Sequence, residues 1–111
     1  MLCFFISAPA LSNETSYSSL IEDLPLMQGM LEQEADSVVF DKPSGRIIES
    51  VVISQKRKKE IKQFYKQNLP PLGWRYNKNT ATFSRENENL KIVIKEQKNK
   101  SVIHFIITPK K

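Results

Sequence analysis

Phe64-Tyr65-Lys66-Gln67-Asn68-Leu69-Pro70-Pro71-Leu72-Gly73-Trp74 decides the architecture of this 111-residue chain. Leading into it, Ile61, Phe64, Tyr65 and Leu69 recur at i, i+3, i+4 and i+8, the single apolar stripe of an amphipathic helix. Pro70 has no N–H to give and disfavours helical backbone in the residue before it, so the helix predicted over 55–69 ends there. Ser54 stands where its N-cap belongs. Beyond the double proline, Gly73 lets the chain pass close to the helix and Trp74 starts a strand. Trp74 is expected to lie against Ile61, Phe64 and Leu69, which joins the one convincing helix to the sheet that covers it.

Working outward, the residues after the break alternate with period 2. Trp74, Tyr76, Ala81 and Phe83 form the expected core side of a hairpin turning at Lys78-Asn79-Thr80, with Arg75, Asn77, Thr82 and Ser84 opposite. Leu90, Ile92 and Ile94 follow a turn at Asn87-Glu88-Asn89, and Ile103, Phe105 and Ile107 follow Gln97-Lys98-Asn99-Lys100. Before the helix, Val38-Val39-Phe40 and the β-branched run 46–53 flank Asp41-Lys42-Pro43-Ser44-Gly45, a turn by its Pro/Ser/Gly chemistry. Short polar turns between alternating strands mark an antiparallel sheet with one solvated face. The expected fold is therefore α+β, a single helix packed on an antiparallel sheet in the order β-β-α-β-β-β-β, over residues 38–111. Residues 13–37 show no sustained period and are interrupted by Pro25 and Gly29; they read as an irregular segment laid over the core by Leu24, Leu26, Met27, Met30 and Leu31.

The net charge of +5 is unevenly placed. Lys42 and Arg46 face eight acids in residues 1–53, a net of −6, whereas residues 54–111 hold fifteen Lys and Arg against Glu60, Glu86, Glu88 and Glu96, a net of +11. Lys56, Arg57, Lys59, Lys62 and Lys66, with Lys58 beside them, cluster on the helix and are the one candidate face for an anionic partner: an envelope protein, an anionic lipid or a polymer. The plainer account is solvated lysine in an AT-rich coding sequence. Nucleic acid is disfavoured, because Trp74, Tyr76 and Phe83 are expected in the core and leave no aromatics interleaved with the cations for base stacking.

Residues 1–12 are uncharged and mostly apolar, and Ala8-Pro9-Ala10 offers the small-x-small step of a secretory cleavage site. The segment reads as signal-peptide-like, although it lacks a basic start; a buried N-terminal strand is the alternative. No segment approaches the roughly 20 apolar residues of a membrane span. Cys3 is the only cysteine and lies inside this segment, without the residues of a lipobox before it.

Chemistry is nearly absent from the pattern. His104 would be the only neutral-pH base, and it alternates with Ile103 and Phe105, so it points away from the core with no nucleophile supplied. One His and no mature Cys do not make a zinc site, three glycines make no phosphate loop, and Glu86 and Glu88 read as an exposed turn. Neither catalysis nor a cofactor is expected.

Asp23-Leu24-Pro25-Leu26-Met27, Val39-Phe40-Asp41-Lys42-Pro43-Ser44-Gly45-Arg46-Ile47, and Phe64-Tyr65 with Leu69-Pro70-Pro71-Leu72-Gly73-Trp74 together resemble a group of small uncharacterised exported proteins of alphaproteobacteria. The resemblance covers residues 22–108. It implies a periplasmic or secreted location and one helix on a sheet, and it carries no catalytic or ligand residues. The resulting expectation is a non-enzymatic exported cell-envelope module; the runner-up is a basic cytoplasmic nucleic-acid-binding domain.

Overall fold

The structure, a computed structural model, describes residues 16–110. The signal-like segment 1–12 lies outside these residues. In chain order the elements are β1 (Ser16–Tyr17), β2 (Pro25–Leu26), β3 (Leu31–Glu32), β4 (Val38–Lys42), β5 (Gly45–Ser54), α1 (Lys58–Asn68), β6 (Arg75–Asn77), β7 (Thr82–Arg85), β8 (Glu88–Glu96) and β9 (Ser101–Pro109). The fold is α+β, and the order from β4 onward is the one the sequence predicts.

Strands β3 to β9 form one antiparallel seven-stranded sheet in the order β3-β5-β9-β8-β7-β6, with β4 also paired to β5. The chain leaves β5, crosses the sheet as α1 and reaches the far edge at β6. It then meanders back through β7 and β8 until β9 pairs with β5. Short turns suffice for each step of the meander: Lys42 pairs with Gly45 around Pro43-Ser44, and Arg85 with Glu88 around Glu86-Asn87. Glu88, expected in that turn, is therefore a strand residue.

One sheet face buries Ile48, Val52, Phe83, Leu90, Ile94, Ile103, Phe105 and Ile107 against Ile61, Tyr65 and Leu69 of the helix side. Trp74 is 1% exposed and joins the same cluster, as the stretch around Gly73 predicts. Pro70–Leu72 tightens into a 3-10 turn, Gly73 takes φ +99°, and Trp74 N–H donates to the Leu69 carbonyl at 3.2 Å to close the reversal. The close neighbour of Gly73 is the Arg85 side chain, not the helix: a Cβ there would meet Arg85 Cδ at 3.2 Å. Arg85 also lies over the Trp74 ring at 4.5 Å.

Residues 16–37 lie over the core as the sequence suggests, with Met27 packed against the cluster. They contribute Ile21, Leu24, Leu26 and Met30 to the core, whereas Leu31 is exposed. Two polar anchors hold them. The buried Tyr65 hydroxyl donates to the Pro25 carbonyl at 2.6 Å. The Glu32 carboxylate accepts from Ser50 Oγ at 2.6 Å, from Ser19 N–H at 2.9 Å and from Ser19 Oγ and Ser18 Oγ. Both join partners distant in sequence, so no local period announces them.

Candidate functional site

The helix begins later than expected. Ser54 closes β5, and its hydroxyl accepts from Lys56 N–H at 3.0 Å in a local turn instead of capping a helix. The N-cap is Arg57, with α1 starting at Lys58. One orphan donor of the first turn is met from outside the helix: Glu96, at the end of β8, accepts from Lys58 N–H at 3.0 Å and also from the Arg57 side chain (Nε) at 2.8 Å. Glu60, within the first turn, accepts from the N-cap Arg57 N–H at 3.3 Å. The Lys58 N–H bond, joined by the charge and hydrogen bond of Arg57 and the charge of Lys58, outweighs desolvation and holds the Glu96 carboxyl below the usual carboxylate range. A carboxylate at this end also offsets the unfavourable placement of cations at a helix N-terminus.

The five candidate residues therefore part company. Arg57 is engaged with Glu96, and Lys56 sits ahead of the helix in a half-buried turn. Lys59, Lys62 and Lys66 recur at i, i+3 and i+7, share one flank of α1 and are all exposed. Among the described residues ion pairs join Arg57 to Glu96 and Arg85 to Asp23, a hydrogen bond joins His104 to Glu49, and none of these reaches those three lysines. The acids of the negative half that make polar contacts are spent elsewhere: Asp23 on Arg85, Glu32 on its serines, Glu34 on Ser19 Oγ, Glu49 on His104 Nδ1 at 2.7 Å. The acidic segment does not cover the basic flank.

Beside Lys62 and Lys66 the helix and sheet diverge into a cleft of about 190 Å³. Phe83, Ile92 and Ile94 form its sheet side, Tyr65 its helix side, and Tyr76 with Ala81 its outer wall. Tyr76 corrects the sequence reading. It was expected in the core but is 44% exposed, because the three-residue edge strand β6 offers Phe83 on one side (ring centroids 5.0 Å) and no further strand on the other. Lys66 Nζ lies 5.7 Å from the Tyr76 ring centroid, within cation–π reach. An exposed aromatic therefore does accompany the cations, which the period-2 pattern had concealed. Nothing in sequence alone separates a core-facing position in an edge strand from one in a central strand.

His104 is on the opposite, helix-free face, opposite Val51 and Val93 in the sheet. Among the described residues no three His, Cys, Asp or Glu side chains come together as metal ligands, and no helix is long and apolar enough to cross a membrane. No protein-family model, curated protein or solved structure matches the chain.

Proposed function

We propose that the chain is a small exported protein of the bacterial cell envelope, a non-enzymatic module that meets an anionic partner, a lipid surface in the first place, through Lys59, Lys62 and Lys66. The observation that carries this reading is the uncompensated flank: three exposed lysines at helical spacing, with no carboxylate in ion-pair range among the described residues. Such a flank projects positive potential and draws anions to it. The apolar run at 2–6, the Ala8-Pro9-Ala10 step and the resemblance to small exported proteins support the envelope location. The lone His104, hydrogen-bonded to Glu49 on the far side of the sheet, supports a binding role over catalysis.

Each lysine at an anionic membrane surface is worth about 1 kcal/mol, so three give about 3 kcal/mol, roughly two orders of magnitude in partitioning. Vesicles containing phosphatidylglycerol should bind the protein at low salt and release it as salt rises from about 50 to about 200 mM, while phosphatidylcholine vesicles should not bind it. Equal partitioning to both vesicle types would overturn the reading. For export, mass spectrometry of the native protein should find a new N-terminus between Leu11 and Asn13; an intact Met1 in the cytosolic fraction would contradict it. The nucleic-acid alternative has one observation in its favour, the half-exposed Tyr76 beside Lys66. Nucleic acid that co-purifies and is lost at moderate salt would support that alternative instead.

A further inference from the structure

We propose that the cleft between α1 and strands β6–β8 is a binding site for a small amphipathic carboxylate, one carrying a single aryl or branched alkyl group. The inference rests on the reading of the lysine flank as an anion-facing surface, and it adds a pocket with a size and a polarity. The hollow measures about 190 Å³, and a dry cavity of about 150 Å³ is known to take a benzene ring. One ring or a short branched chain therefore fits; the acyl chain of a membrane lipid would leave most of its length outside.

Its interior is apolar and aromatic, with Phe83 and Ile94 buried beneath it and Ile92 half-buried. Tyr76 supplies a ring already tilted against Phe83, ready to meet a second aromatic edge or face. The rim is cationic on the helix side only. Lys62 and Lys66 stand one turn apart and line the mouth, and no ion pair among the described residues occupies either. A neutral apolar ligand would leave both ammonium groups facing its edge, and an amine would be repelled. The complementary ligand has its negative head at the helix and its apolar body toward the sheet. A free aryl or branched-chain acid and the C-terminal residue of an apolar-ended peptide share that chemistry.

The test is amide chemical-shift mapping with hydrocinnamate, against hydrocinnamyl alcohol and hydrocinnamylamine as neutral and cationic controls. Hydrocinnamate should shift amides of α1 and β6–β8 and bind about tenfold more tightly than the alcohol, since two exposed ion contacts are together worth about that factor. The amine should bind least. A short peptide ending in phenylalanine, compared with its C-terminal amide, separates the sources: preference for the free-acid peptide over hydrocinnamate assigns the site to peptide termini, and the reverse assigns it to free acids. Lys62→Gln with Lys66→Gln should erase the preference for acid over alcohol, and Tyr76→Ala should weaken both severalfold. Lys59→Gln, outside the cleft, should leave hydrocinnamate binding unchanged while weakening attachment to anionic vesicles. Alcohol binding as tightly as the acid, or shifts absent or mapping to the helix-free face, would overturn the inference. Vesicle binding retained in that event would leave the lysine flank standing without the pocket.

Discussion

Removing the Glu32 carboxylate should release the N-terminal segment from the sheet. Glu32 lies on β3 opposite Val52 and reaches Ser50, whose hydroxyl is fully buried at 0% exposure. Glu32→Ala strands that hydroxyl without its acceptor, a loss of about 1–3 kcal/mol, and also frees Ser18 and Ser19, which solvent can reach more easily. A net loss of about 2 kcal/mol is expected, and Glu32→Gln, which keeps one acceptor oxygen, should lose about half of that. The effect has a pH signature. Burial raises the Glu32 carboxyl, but the bonds from Ser18, Ser50 and Ser19 outweigh it and leave the group below its ordinary value of 4.5. A carboxyl depressed in the folded state stabilises the fold above that ordinary value and loses its contribution as pH falls through the lower folded one. Urea denaturation should therefore separate wild type from Glu32→Gln at neutral pH, with the gap closing only below about pH 4.5. At a slope of about 1–2 kcal/mol/M, the Ala variant should lower the midpoint by roughly 1–2 M. A Glu32→Ala midpoint within error of wild type at neutral pH would refute the anchor, and a gap that widens on acidification would refute the sign of the shift.

Trp74→Ala should cost about 3–5 kcal/mol by the same denaturation assay, because it empties a site that is 1% exposed in the main cluster; a loss below about 1 kcal/mol would contradict burial of the indole. Glu96→Gln removes the charge that meets Arg57 and the first helical N–H, leaving a neutral acceptor, so hydrogen exchange at Lys58 and its neighbours should quicken while the sheet core is unchanged. The depressed Glu96 carboxyl favours the folded state above its ordinary range and ceases to do so as pH falls through its folded value, so the same helix end should fray on acidification.

The parts of the fold that follow from local spacing were legible in the sequence. The stripe Ile61, Tyr65, Leu69, the alternation through Leu90, Ile94, Ile103, Phe105 and Ile107, and the Pro43-Ser44 turn each specify their element within a few residues. What escaped depends on distant partners. The helix start moves from Ser54 to Arg57 because the carboxylate that meets its first turn arrives from β8. Leu24, Leu26 and Met30 of segment 16–37 were legible as core residues, but its polar anchors to Tyr65 and Ser50, 40 and 18 residues from their partners, were not. The candidate site divides in the same way. The i, i+3, i+7 spacing of Lys59, Lys62 and Lys66 is visible in sequence, whereas the engagement of Arg57 and the exposure of Tyr76 follow from neighbours that only the folded chain supplies.

The most direct measurement is a paired one on the Lys59→Glu, Lys62→Glu, Lys66→Glu protein: its urea midpoint and its attachment to phosphatidylglycerol vesicles at low salt. An open flank predicts stability within about 0.5 kcal/mol of wild type, as for other surface substitutions, together with loss of vesicle binding. Destabilisation beyond about 1 kcal/mol, with no binding by the wild-type protein at low salt, would mean that these lysines serve the fold and would contradict the account.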